Sequence, residues 1–120
     1  MSDRQEIGRK GENIAAAYLT QRGCVVLERN VRTAYGEIDL IVMKGKSLVF
    51  VEVKTRTNRS FGYPETAITE AKMLHMMNCA EAYLQQHPEY SMPWQLDVIS
   101  VELRKDDEHR VTWFENASGV

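Results

Sequence analysis

The sequence predicts an α/β domain, a mixed β-sheet flanked by helices, on three observations. Residues 37–56 alternate with period two on either side of a Gly45-Lys46 break, the pattern of a β-hairpin. Two stretches, 5–22 and 65–87, repeat apolar residues at helical spacing. The second lies between a strand ending near Lys54 and another beginning near Gln95, where a helix permits a parallel crossover. The expected order is helix, strand, strand, strand, helix, strand, strand. Residues 1–120 are expected to form a single domain, large enough to bury a core without disulfides or a structural metal.

Each element follows from local chemistry. Over 5–22, Ile7, Ile14, Ala15, Tyr18 and Leu19 make a stripe and Gly23 ends it. Gly8 and Gly11 weaken the first turns by up to roughly 1 kcal/mol each relative to alanine, and glycine there admits a close neighbour. Residues 24–29 read as the first strand and 30–36 as a connection. Residues 55–64 read as a polar loop punctuated by Gly62 and Pro64, and 65–87 as a helix ended by Pro88. Ile68, Ala71, Leu74, Met76, Met77, Ala80, Tyr83 and Leu84 give that helix a broad apolar face. Residues 95–103 and 110–115 read as the last strands around an acidic turn, with 116–120 frayed and Asp97 either structural, the favoured reading, or in the outer shell of the site.

The hairpin carries most of the functional information. Gly45-Lys46 suits a type II′ turn, which sets Lys44 opposite Ser47, Met43 opposite Leu48, Ile41 opposite Phe50 and Asp39 opposite Glu52. One face then holds Ile38, Leu40, Val42, Val49, Val51 and Val53 and must be core. The other is apolar at the turn end but ends in Glu37, Asp39, Glu52 and Lys54. Carboxylates on directly opposed residues, with Cβ atoms roughly 4.5–5.5 Å apart, repel each other unless a cation lies between them. Hard oxygen ligands suit Mg²⁺, which takes one or two carboxylates and meets substrate phosphate. Lys54 reaches the same place.

Gly36-Glu37-Ile38-Asp39-Leu40-Ile41 followed by Val49-Phe50-Val51-Glu52-Val53-Lys54-Thr55-Arg56 resembles the Asp…Glu-x-Lys core of the restriction-endonuclease-like, PD-(D/E)xK, nucleases. More closely, with Gly8-Arg9-Lys10-Gly11-Glu12, Phe61-Gly62 and the helix bearing Lys72, it resembles the YraN-like family of small uncharacterised bacterial proteins, related in sequence to archaeal Holliday-junction resolvases. The resemblance implies a restriction-endonuclease-like fold, an Mg²⁺- or Mn²⁺-dependent endonuclease chemistry, and branched or junction DNA as the substrate class. Related nucleases bring an acidic residue of the first helix to the metal, and Glu12 is the residue in that place here. The expected site therefore has Asp39, Glu52 and Lys54 as catalytic residues and Asp39, Glu52 and Glu12 as metal ligands. Glu37 would tune the metal shell, and Arg56, Arg59 and Lys72 would meet DNA; Phe61 and Tyr63 are candidates to stack on a base or sugar, although Phe61 reads first as an anchored aromatic that pins the loop. Two rivals stand beside it: an inactive nucleic-acid-binding or scaffold protein on the same fold, and a protein-interaction adaptor.

Composition sets outer bounds. The net charge is −2, which does not by itself favour nucleic acid. Its distribution is uneven: residues 1–59 carry eleven Lys/Arg against seven Asp/Glu, and residues 60–120 four against ten. Cys24 and Cys79 have no metal or redox spacing and are expected to be buried thiols in a reducing compartment. His75, His87 and His109 lack zinc-ligand spacing. No signal peptide or membrane-spanning run is legible, so a cytoplasmic protein is expected, with DNA as partner and a homodimer left open.

Overall fold

A computed structural model describes residues 3–57, 68–105 and 108–118. The elements come in the expected order: α1 Asp3–Gln21, β1 Val25–Thr33, β2 Gly36–Lys44, β3 Ser47–Arg56, α2 Glu70–Gln86, β4 Trp94–Leu103 and β5 His109–Phe114. One five-stranded sheet runs β1-β2-β3-β4-β5; β3 and β4 are parallel and the other neighbours antiparallel. The parallel pair is the one α2 connects, since a parallel neighbour needs a crossover. The mixed sheet flanked by helices is thus the fold observed.

Both faces of the sheet are core, each under its own helix. Ala15, Ala16 and Leu19 of α1 pack on Leu40, Val42, Val49, Val51, Ile99 and Val101. Met76, Cys79, Ala80 and Tyr83 of α2 pack on Ile38, Ile41, Leu48, Phe50, Leu96 and Val98. Complete burial of side chains such as Phe50, Leu40 and Ile41 stabilises by about 1.5–3 kcal/mol each. Leu74, placed by its spacing on the apolar stripe of α2, is 63% exposed. It lies two residues, about 200°, around the helix from Met76, so it points outward. Cys24 and Cys79 are buried free thiols.

The turn fixes the register as its sequence requires. Lys44 pairs with Ser47, Met43 with Leu48 and Ile41 with Phe50. Gly45 has φ +60°, and among the described non-glycine residues only Asn30 and Asn116 have positive φ, which fits a type II′ turn with glycine first. The ladder then stops at Leu40–Val51. Beyond it β2 leaves β3, and Ile38 joins the core under α2 although it shares its parity with Leu40. Asp39 is therefore not a ladder partner of Glu52.

Other boundaries also move. β1 runs on to Thr33 through the expected connection, because an edge strand tolerates polar residues and Asn30 takes a left-handed φ of 53°. Arg56 still belongs to β3 rather than to the following loop. α2 starts at Glu70, with Thr69 as N-cap accepting from Lys72 N at 3.1 Å. Residues 58–67 lie outside the described residues, and with them Arg59, Phe61 and Tyr63. Residues 116–118 are not frayed: Asn116 N donates to Asp97 and Ala117 N to Leu96 O at 2.7 Å.

Asp97 is structural, the favoured of its two readings. Fully buried, it accepts from Gln95 Nε2, Trp113 Nε1 and Asn116 N, each at 2.8 Å. It ties β5 and the segment after it to β4. Asp97→Ala leaves these donors without an acceptor and is expected to cost about 3 kcal/mol or more, read as a lower urea midpoint at unchanged m-value.

Candidate functional site

The parting of β2 from β3 opens a cavity of about 930 Å³ at that edge. Its floor holds Asp39 and Glu37 from β2 and Glu52, Val53, Lys54 and Thr55 from β3. Glu12 enters from α1, Lys72 from α2 and Asn30 from β1. Six of the eight residues expected at the site thus meet in one place. Arg56 does not line this cavity; in the parallel register it stands beside Glu102, a buried carboxylate on β4. Arg59 lies outside the described residues.

Asp39 is the most perturbed of the described groups that line the cavity. Its Oδ2 accepts from Val53 N at 2.8 Å, so the carboxylate takes the strand donor that the interrupted ladder leaves over. Its carboxyl is pushed up to about 7 from an ordinary 3.8, by burial first and then by the negative charge of Glu52, with Glu12 and Glu37 adding. The Val53 N–H opposes the shift without cancelling it. Among the described residues Asp39 meets no cation.

Around it the charges are arranged unequally. Glu52 Oε1 is 3.2 Å from Lys72 Nζ. Lys54 is exposed and makes no ion pair among the described residues. Glu37 is exposed and stands 4.0 Å from Arg32, a loose pairing of two wet groups. Glu12 Oε1 accepts from Asn30 Nδ2 at 3.0 Å and lies 4.0 Å from Arg29. Burial raises the Glu12 carboxyl above its usual range, while Asn30 and Arg29 pull it back.

Two residues explain why Glu12 reaches the cavity. A Cβ on Gly11 would lie 1.9 Å from Thr55 Oγ1 and 2.8 Å from Thr55 Cβ, so α1 touches β3 only because residue 11 is glycine. Gly8 meets open space and has no such duty. Gly11→Ala is expected to push the helix away at a net cost of about 1–2 kcal/mol, the overpacking penalty less the gain in helix propensity. Thermal melting of the two proteins measures it. The second residue is Asn30, whose left-handed backbone turns its amide toward Glu12.

Asn30 was not legible as a site residue, nor were Arg4, Gln5 and Arg9, which also line the cavity. The signal for the helical three was helix periodicity: Arg9, Gln5 and Arg4 precede Glu12 by three, seven and eight residues, the stripe that Glu12 itself occupies.

Among the described residues no three Asp, Glu, His or Cys side chains form a ready ligand cage. The donor set still suits a hard divalent ion. Mg²⁺ commonly takes one or two carboxylates and keeps several waters. Asp39 and Glu52 would supply the carboxylates, and the negative charge of Glu52 is, after burial, the second cause that raises the Asp39 carboxyl. No described helix is long and apolar enough to cross a membrane.

The model of the uncharacterised protein family UPF0102 matches residues 11–101. A UPF0102 protein of Neisseria meningitidis serogroup C is 42% identical over 112 residues, covering 93% of this chain and 94% of the relative. A UPF0102 protein of Syntrophotalea carbinolica is 41% identical over 117 residues, covering 98% and 94%. Among solved structures, Pyrococcus furiosus SfsA in complex with Ca²⁺ aligns with a TM-score of 0.44 at 14% identity, over 94% of this chain and 64% of the SfsA chain. The family match takes in Glu12, Glu37, Asp39, Glu52, Lys54 and Lys72, and on it and on these two relatives the chain belongs to the UPF0102 family.

Proposed function

We propose that the protein is a divalent-metal-dependent nuclease that hydrolyses phosphodiester bonds in DNA. The observation that carries this is Asp39: a half-buried carboxylate without a cation partner among the described residues, sharing an open cavity with Glu52 and with Lys54, which makes no ion pair among the described residues. Asp39 and Glu52, helped by Glu12, would hold Mg²⁺ or Mn²⁺, and Glu37 would tune the field around it. When bound, the ion supplies a Lewis acid for the scissile phosphate and lowers the pKa of a water. Lys54 carries the exposed ammonium that meets charge developing on the phosphoryl oxygens. Arg4 and Arg9 on one wall and Lys72 on the other offer cations for the flanking phosphates. Branched, flapped or four-way DNA is the substrate class suggested by the resemblance of the hairpin to junction-resolving nucleases.

The test is a cleavage assay on linear, flapped and four-way DNA with Mg²⁺ or Mn²⁺, against EDTA and the Asp39→Asn variant. Metal-dependent cuts lost in the variant are expected. The negative net charge favours one rival, a protein that binds nucleic acid without turnover. Salt-dependent DNA binding with no cleavage of any substrate would select that rival.

A further inference from the structure

The two lysines of the cavity are in different states. Lys54 is exposed and unpaired among the described residues, whereas Lys72 is already engaged. Its Nζ lies 3.2 Å from Glu52 Oε1, and the two side chains are only 26% and 21% exposed. Lys72 is also fixed at its root. It stands in the first turn of α2, and its backbone N–H is the donor capped by Thr69. An ammonium held this way is the resident counter-ion of Glu52, not a loose surface charge.

Glu52 is one of the two carboxylates that would hold the divalent ion. An ammonium hydrogen-bonded to one of its oxygens and a dication seeking that oxygen exclude each other by charge and by space. We propose that Lys72 is a displaceable counter-ion: it occupies Glu52 in the ion-free protein and is released when a divalent ion binds. Once released, it is free at the wall of the cavity to take a substrate phosphate oxygen. Ion and DNA then favour each other's binding, because a phosphate that draws Lys72 away frees Glu52 for the ion, and the coupling is reciprocal. Lys72 is thereby a positioning residue that couples the two ligands, a role distinct from that of Lys54. The proposal rests on the metal-dependent reading above.

Calorimetric titration of Mn²⁺ into the full chain tests it, on wild type, Lys72→Met, Lys72→Arg and Asp39→Asn, with and without a non-cleavable phosphorothioate DNA. Without DNA, Lys72→Met is expected to bind Mn²⁺ about tenfold tighter than wild type, while Lys72→Arg, which keeps the charge, stays close to wild type. With DNA, wild type tightens its hold on Mn²⁺ and Lys72→Met does not. A merely structural lysine would weaken ion binding when removed. Lys72→Gln repeats the comparison should Lys72→Met fail to give a cooperative melt. If wild type binds Mn²⁺ through Asp39 but Lys72→Met binds no tighter, the counter-ion proposal is overturned and the metal site survives. If neither wild type nor Lys72→Met binds Mn²⁺, both fall together.

Discussion

Lys54→Ala is expected to slow single-turnover DNA cleavage by roughly 10²–10³-fold while leaving DNA affinity within about twofold of wild type. The reason lies in how Lys54 stands. It is exposed and makes no ion pair among the described residues, so removing it breaks no ion pair of theirs. Its ammonium does work only when negative charge gathers on the phosphoryl group, a condition met in the transition state more than in the bound substrate. Arg9, on the α1 wall, should behave in the opposite way. Arg9→Ala should weaken binding and flatten the salt dependence by about one phosphate contact, with saturated turnover near wild type. Affinity by anisotropy and rate by rapid quench separate the two. A wild-type rate for Lys54→Ala would remove Lys54 from the chemistry.

The hairpin was legible because its determinants are local. Period-two patterning and a Gly-Lys turn fix strand, face and register within a few residues, and the pairs Lys44–Ser47, Met43–Leu48 and Ile41–Phe50 follow. The same rule missed the end of the ladder at Leu40, because there a side chain competes with the backbone: Asp39 takes the Val53 N–H itself. Period two also could not say that both sheet faces are covered. That depends on which side each helix packs, and it is what brings Glu12 and Lys72 into one cavity from opposite faces. Asn30 was hidden for a related reason. Polar residues after a short apolar run read as a connection, whereas an edge strand needs only one paired side and carries them without cost. Six of the residues that line the cavity were thus readable from residue types, while Asn30, Arg4, Gln5 and Arg9, the hydrogen bonds and the pairing of Lys72 with Glu52 depend on the tertiary arrangement.

Asp39→Asn is expected to stabilise the metal-free protein at pH 8 and to do nothing for it near pH 4. The folded-state carboxyl is pushed up to about 7, against 3.8 for an ordinary aspartate. Between those values the folded protein keeps a proton that the unfolded chain has released, so stability falls as pH rises from about 4 to about 7 and stays low above. The shift corresponds to roughly 4 kcal/mol at most, since one pH unit is worth about 1.4 kcal/mol. Part of it belongs to Glu52, whose charge is the second cause of the shift. The substitution removes the charge but keeps an oxygen for the Val53 N–H, so the local backbone has no reason to move. Thermal melts across pH 4–9 should therefore show wild type losing several degrees that the variant retains. Millimolar Mg²⁺ should restore much of the loss to wild type at pH 8 by binding only the folded state, and should leave the variant almost unmoved. Parallel pH profiles for the two proteins, with equal responses to Mg²⁺, would mean that Asp39 carries no uncompensated charge, and the metal site drawn around it would have lost its foundation.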